Sequence, residues 1–188
     1  MTQETPLDIE NEPRIEVVLA QPGDARGIQE VYYRTWLDTY PNEEFGITID
    51  DIEDQYKDAF TEETLQRRAT GIEHPPEGHL ILVAKDGEKV VGTSRIIQNP
   101  DKDQLKTIYV LPEYQGKGIG RALWNKIQTL IDTSKDMVVQ VTTYNTPAIE
   151  FYKRLGFEDT GKRWEDEKFK FKSGAKMPEQ EMIIKAKK

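Results

Sequence analysis

Hydrophobic and polar positions divide this chain into short alternating runs and a few helical stripes. Arg14 to Leu19 alternates and then turns apolar, which predicts a first strand. Gln21-Pro22-Gly23-Asp24 reads as a turn with Asp24 as an N-cap. Ile28, Val31, Tyr32, Thr35 and Trp36 then recur at helical spacing. Pro41 and Gly46 interrupt the chain. Ile49, Ile52, Tyr56 and Phe60 predict a second helix, and Thr61 to Arg68 opens a further turn or helix. Apolar runs at Leu80–Ala84 and Val90–Ile97 flank Asp86-Gly87, a hairpin signal. A strand is expected over Gln104–Val110 and another over Met137–Val141. Between them Ile119, Ala122, Leu123, Ile127, Leu130 and Ile131 form a helical stripe that begins after Gly118. Thr146-Pro147 reads as an N-cap and first helical residue. Ala148, Phe151, Tyr152 and Leu155 share a face, and Gly156 marks the stop. Phe157–Trp164 and Gln180–Ile184 are expected to close the chain as a strand pair. Lys168-Phe169-Lys170-Phe171-Lys172 alternates like an exposed arm, for which a lysine-protected hairpin edge is the simpler explanation. Helices mixed with hairpin and crossover strands place the chain in the α/β (α+β) class with a mixed sheet. Residues 13–188 form one domain in this reading, preceded by a mobile, acidic tail over 1–12.

The segment with the most chemical content is Gln115-Gly116-Lys117-Gly118-Ile119-Gly120-Arg121, between a strand and an amphipathic helix. A glycine-rich turn there leaves several N–H groups without helical partners at the positive end of the helix dipole, where a phosphate or diphosphate is the natural occupant. The glycines allow positive φ and close approach of an anion. The spacing is neither G-x-G-x-x-G, because Arg121 or Leu123 stands where the third glycine belongs, nor a P-loop, because Gly118 follows Gly116-Lys117 in place of Ser or Thr. What remains is Q-x-x-G-x-G.

Composition narrows the field. With 188 residues the chain suits one sizeable domain, and the absence of cysteine excludes disulfides, a thiol nucleophile and thiolate metal sites. No apolar run approaches the roughly 20 residues of a membrane span, and the polar N-terminus is unlike a secretory signal, so cytoplasm is the expected compartment and no membrane partner is expected. A formal charge of −8 disfavours nucleic acid as a partner and mildly favours a cationic one. His74 and His79 share one Pro-rich loop with Glu77 and offer too few converging ligands for a metal, so none is expected.

Ile108 to Gly120, with its Gln115-Gly116-Lys117-Gly118-Ile119-Gly120 core, resembles the acetyl-CoA signature of the GCN5-related N-acetyltransferase (GNAT) superfamily. Asn145-Thr146-Pro147-Ala148-Ile149-Glu150-Phe151-Tyr152-Lys153-Arg154-Leu155-Gly156-Phe157 resembles that family's N-x-x-A-x-x-F-Y-x-x-x-G-F segment. The resemblance is strong over 80–160, weaker over 13–60, and absent from 1–12 and 165–179. It implies a GNAT-type domain with helices on both faces of a twisted sheet that splays open between its fourth and fifth strands. It also implies transfer of an acetyl group from acetyl-CoA, as co-substrate, to an amine of a small molecule or peptide by direct attack.

Under that resemblance the backbone of Gly116, Lys117, Gly118, Ile119 and Gly120 holds the diphosphate, assisted by Gln115 and Arg121. The backbone of Ile108, Tyr109 and Val110 polarises the thioester carbonyl as an oxyanion hole would, and Asn145 bonds the pantetheine arm or simply caps its helix. Tyr152 is the expected general acid for the leaving thiolate. A phenol near ~10 is protonated at neutral pH, and transfer to a thiolate near ~8.5 is uphill by about 2 kcal/mol, within what positioning offsets. The general base is not selected. Gln104 stands where many relatives carry Glu, and Asp38, Glu43 and Glu44 are relay candidates of equal standing. Acceptor recognition is expected from Trp36, Asp38, Tyr40, Glu43, Glu44 and the 165–179 segment. A non-catalytic CoA-binding sensor or interaction module of the same fold, or an ADP-binding protein, remains an alternative. A homodimer is neither required nor excluded.

Overall fold

The computed structural model describes residues 14–186; the tail expected over 1–12 lies outside them. Seven strands form one sheet: β1 (Ile15–Leu19), β2 (His79–Asp86), β3 (Lys89–Ile97), β4 (Lys102–Val110), β5 (Asp136–Thr142), β6 (Glu158–Asp166) and β7 (Met177–Ile184). Their spatial order is β1-β2-β3-β4-β5-β7-β6, and only the β4–β5 pair is parallel. Five helices complete the fold: α1 (Ala25–Thr39), α2 (Ile49–Tyr56), α3 (Glu62–Glu73), α4 (Ile119–Gln128) and α5 (Thr146–Leu155). They cover both faces of the sheet. The expected helix from Ile49 ends four residues before Phe60, because the chain turns at Lys57 and a new helix starts at Glu62, capped by Thr61, whose hydroxyl accepts from Thr64 N.

The parallel pair positions the site. β4 and β5 are joined only from Lys102↔Asp136 to Leu105↔Val139. Beyond Leu105 the two strands part, β4 keeping its ladder to β3 and β5 its ladder to β7. The expected splay is therefore present, and it leaves one edge of β4 open from Lys106 onward.

Two hydrophobic clusters flank this opening. The larger is built from the sheet and from α1, α4 and α5, with Leu82, Val91, Ile96, Leu105, Leu123, Ile127 and Val139 fully buried. The smaller joins α1 and α2 to the 167–176 loop through Trp36, Tyr40, Ile47, Ile52, Phe171 and Met177. The Lys168–Lys172 stretch is thus not an exposed arm. Its lysines face out, but Phe171 is buried and Phe169 packs edge-on to Trp36, with ring centroids 4.8 Å apart. Burying Phe171 and half-burying Phe169 outweighs the edge protection that the lysines suggested.

Asp51 fastens this second cluster. Its Oδ2 accepts from Thr48 N, closing a capping box at the start of α2, and its Oδ1 accepts from Ser173 N at 2.7 Å. Desolvation would raise this carboxyl, but hydrogen bonds from Ser173 and Thr48 outweigh it and hold the pKa at about 2. A folded-state pKa below the unfolded ~3.9 means stability that is complete above about pH 4 and lost as pH falls through about 2. Asp51→Ala is expected to cost about 2–3 kcal/mol in urea titrations at pH 7. The difference from the parent chain should shrink as pH falls from 4 toward 2. A constant difference over that interval would show that the carboxylate charge contributes nothing.

Candidate functional site

The parted strands open a cleft of about 1010 Å³, lined by α1, β4, the glycine-rich turn, the end of β5, α5 and the 166–169 stretch. On one side of it lies the turn. β4 leads through a short 3₁₀ turn at Pro112–Tyr114 into Gly116 and Gly118, at φ +74° and +80°, and α4 starts at Ile119. Those positive φ values are why glycine is needed here. The amides of Gly116, Lys117, Gly118, Ile119, Gly120 and Arg121 donate no hydrogen bond within the described residues; the first helical bond is Ala122 N to Gly118 O, 2.9 Å. A Cβ at Gly116 or Gly118 would meet no protein atom within 4 Å. Exposed, unpaired amides at a helix start beside open space fit an anion such as a diphosphate.

Gly120 has a packing role beside its unpaired amide. A Cβ there would lie 3.2 Å from Phe151 Cζ and 3.3 Å from Cε2. Its lack of a side chain lets α5 approach α4, whereas the space beside Gly116 and Gly118 is open. The turn is also tied back to the protein. Gln115 Nε2 donates to Val110 O at 3.2 Å, and Arg34 reaches Glu113 with two parallel bonds of 2.8 and 2.9 Å.

Gln115, Gly116, Gly118, Ile119, Gly120 and Arg121 line the cleft; Lys117 does not, and its Nζ stands 5.0 Å from the Tyr114 ring centroid. Ile108, Tyr109 and Val110 line it too. Leu111 N bonds Val91 O, and antiparallel bonding alternates from there along the ladder. The amides of Ile108 and Val110 therefore face the open edge, whereas the Tyr109 amide is turned to β3. The expected trio of backbone donors reduces to two on the open edge. Tyr109 contributes its side chain, whose hydroxyl lies 2.9 Å from that of Tyr40.

Asn145, not Thr146, caps α5: its Oδ1 accepts from Ala148 N at 3.2 Å, with Pro147 inside the first turn. Of the two roles expected for Asn145 the cap is realised by Oδ1, and the residue still lines the cleft. Asp24 likewise does not cap α1; its carboxylate accepts from Gln21 N and pairs with Lys85 at 2.6 Å. Tyr152 is buried at the cleft wall. Burial pushes its phenol well above the ordinary value, the Tyr109 ring adds to this, and the Ile108 amide directed at the oxygen pulls the other way. The group is held protonated.

The opposite side of the cleft is aromatic and partly acidic. Trp36, Asp38, Tyr40, Tyr56, Tyr144 and Phe169 line it, as do Asp166 and Glu179. Glu43 and Glu44 stay outside, exposed on the loop after α1. Gln104 is paired with Val138 where β4 and β5 are still joined, and it does not reach the cleft. Three buried polar atoms facing this side have no hydrogen-bond partner: Thr35 Oγ1, Trp36 Nε1 and Glu179 Oε2. In the sequence Glu179 enters only as the last residue of the 165–179 segment expected to recognise the acceptor, with no role of its own. The signal was its period-2 relation to Met177, which buries both; the strand was expected to begin at Gln180, and that start hides it.

With the geometry in place, the chain can be set beside known proteins. A model described as "Acetyltransferase (GNAT) family" matches residues 30–157. The N-alpha-acetyltransferase RimI of Mycobacterium tuberculosis is 36% identical over 93 residues, 47% of this chain and 57% of that protein. The chain spans about half the length of the curated relatives it matches. In fold, the chain resembles the PaiA N-acetyltransferase of Thermoplasma acidophilum in complex with coenzyme A. That likeness has a TM-score of 0.66 and 21% identity, and covers 91% of this chain and 98% of that one. It also resembles yncA, a putative acetyltransferase from Salmonella typhimurium with its cofactor acetyl-CoA (TM-score 0.62, 20% identity, 93% and 95% covered). At these identities the structural likeness is one of fold.

Proposed function

Because the chain belongs to the acetyltransferase (GNAT) family, we propose that it transfers the acetyl group of acetyl-CoA to an amine by direct attack. The observation that carries this reading is the row of unpaired amides from Gly116 to Arg121, opening on a cleft that also holds Tyr152. Acetyl-CoA, when bound, supplies the activated acyl group as a thioester. The Gly116–Arg121 amides would hold its diphosphate at the α4 N-terminus, with the Arg121 guanidinium beside them. The backbone N–H of Val110, free on the open edge of β4, would stabilise negative charge developing on the thioester oxygen, while the Ile108 N–H is directed at the Tyr152 phenol. Tyr152, protonated and at the cleft wall, gives its proton to the departing sulfur. Its raised pKa does not isolate it from that task, because the burial that lifts the phenol lifts a thiolate in the same cleft as well.

On the acceptor side, Trp36, Tyr40 and Phe169 present ring faces and edges, and Asp38 and Glu179 present negative charge, a combination suited to an ammonium group. The relative RimI is named an N-alpha-acetyltransferase, which makes peptide N-termini a natural first class to test beside small amines. The experiment is release of free CoA from acetyl-CoA, measured over N-terminal peptides, lysine peptides, polyamines, aminoglycosides and amino acids. At least one class is expected to raise CoA release about tenfold or more above the amine-free rate. Saturable acetyl-CoA binding with silence across the whole panel would instead identify a sensor of the same fold.

A further inference from the structure

Glu179 lies on β7 directly opposite Thr142, the last residue of β5, and so stands beside the gap where β5 leaves β4. It is only 9% exposed, it lines the cleft, and its Oε2 has no hydrogen-bond partner. A buried carboxylate is ordinarily paired or fully hydrogen-bonded. The charged and titratable groups facing it are Asp166 from β6, Lys168 from the following loop, Lys106 and Tyr109 from β4, and Tyr40 at the C-terminal cap of α1. None of them neutralises it by contact. Lys168 is engaged by Asp166, whose Oδ2 accepts its Nζ at 3.2 Å and whose Oδ1 accepts its backbone N at 2.8 Å. Lys106 makes no ion pair among the described residues, and crowding by burial, Lys168 and Arg95 lowers its own pKa. Among the acids of the cleft, Asp38 is exposed and Asp166 is committed to Lys168. Glu179 alone combines burial with an unused acceptor atom.

We propose that Glu179 is the general base that takes the proton from the acceptor amine. The assignment rests on the acetyl-transfer reading above and fills the one role that Gln104 vacates. An ammonium acceptor R–NH₃⁺ gives one proton to the Glu179 carboxylate and becomes R–NH₂. The nitrogen lone pair forms the C–N bond to the acetyl carbon as the C–S bond breaks, and the sulfur takes its proton from Tyr152. The second proton to leave nitrogen returns Tyr152 to the phenol through solvent, and the proton on Glu179 passes to bulk. The balance is R–NH₃⁺ plus acetyl-CoA giving the amide, CoA–SH and one H⁺. Burial, reinforced by the Asp166 charge and opposed by Lys168 and Lys106, raises Glu179 to about 7, where a base is half available at neutral pH.

The test compares the parent chain with Glu179→Gln, using the best amine of the panel. At pH 7 the variant should lose about tenfold or more in kcat with acetyl-CoA affinity unchanged. The parent log rate should show a break near pH 7 that the variant lacks, leaving only the acceptor's own ionisation. The carboxyl carbon of Glu179, followed by NMR in the protein without substrates, should titrate near pH 7. A folded-state pKa above the unfolded ~4.3 means that ionising Glu179 costs stability as pH rises, so Glu179→Gln should melt at or above the parent temperature at pH 8. Unchanged kcat and an unchanged break near pH 7 in the variant would overturn the assignment, as would a carboxyl titrating near 4. A parent chain with no amine-dependent turnover fails the acetyl-transfer reading instead, and the two failures are separable because the titration needs no substrate.

Discussion

A chain carrying Gly118→Val is expected to bind acetyl-CoA at least about 100-fold more weakly than its parent, with its melting temperature reduced only modestly. Two costs combine. Gly118 sits at φ +80° and ψ 0°, where an L-residue costs roughly 1–2 kcal/mol and a β-branched one more. If the backbone holds its shape, the new Cβ meets no protein atom within 4 Å, so the side chain adds bulk in open space at a residue that lines the cleft, and is expected to compete with the diphosphate there. If the backbone relaxes to negative φ, the amides turn away from one another and the anion loses its converging donors. Each charge-assisted bond lost is worth about 1.5–3 kcal/mol, so two such losses exceed the 100-fold mark. Gly120→Leu separates the two glycines. Its side chain drives into Phe151, so unfolding temperature should fall first and affinity second. Calorimetric titration with acetyl-CoA, paired with thermal melts, reads both. Unchanged affinity in Gly118→Val would remove the turn from cofactor binding and the proposed function with it.

The same turn shows how far local sequence carries. Gln115 to Gly120 announced a phosphate-type turn because strand, glycines and helical stripe are contiguous, and contiguous features need no tertiary information. The splay between β4 and β5 was legible only through family resemblance, because where two strands part depends on register, here Leu105↔Val139, and register is set by packing at a distance. The individual duties inside the motif were less legible still. Nothing in the sequence says that Gly120 admits Phe151, or that the Tyr109 amide bonds β3 while its neighbours do not. The acceptor side was hardest. Phe169 and Phe171 read as an exposed arm until α2 is placed beneath them and Asp51 catches Ser173 N. Glu179 carries no individual signal within the 165–179 segment until the partner strands place it at the edge of the cleft. Residues whose role depends on contacts across a hundred positions leave little trace in local periodicity.

Tyr152→Phe is expected to lower kcat on the order of 10²- to 10³-fold while changing acetyl-CoA affinity less than about threefold. The substitution removes one oxygen from a ring that is packed against Phe151 and Phe157, with centroids 5.5 and 5.6 Å away. The apolar packing of α5 is therefore kept, and the loss falls on the proton alone. Without the phenol the departing sulfur must leave as a thiolate in a desolvated cleft or wait for solvent, and either raises the barrier at that step. The pattern of the loss is diagnostic. An interaction made only as the sulfur leaves lowers kcat and kcat/KM together and leaves binding alone. Because burial holds the parent phenol protonated well beyond its ordinary range, no alkaline loss of rate near pH 9–10 should be traceable to Tyr152. Leaving groups offer the sharper check. An acyl donor whose thiol is more acidic than an alkyl thiol needs no proton on departure, so the gap between the parent chain and Tyr152→Phe should narrow with it. A gap of the same size for both donors would mean that Tyr152 positions the thioester without protonating the sulfur, and an undiminished rate with acetyl-CoA itself would take Tyr152 out of the chemistry.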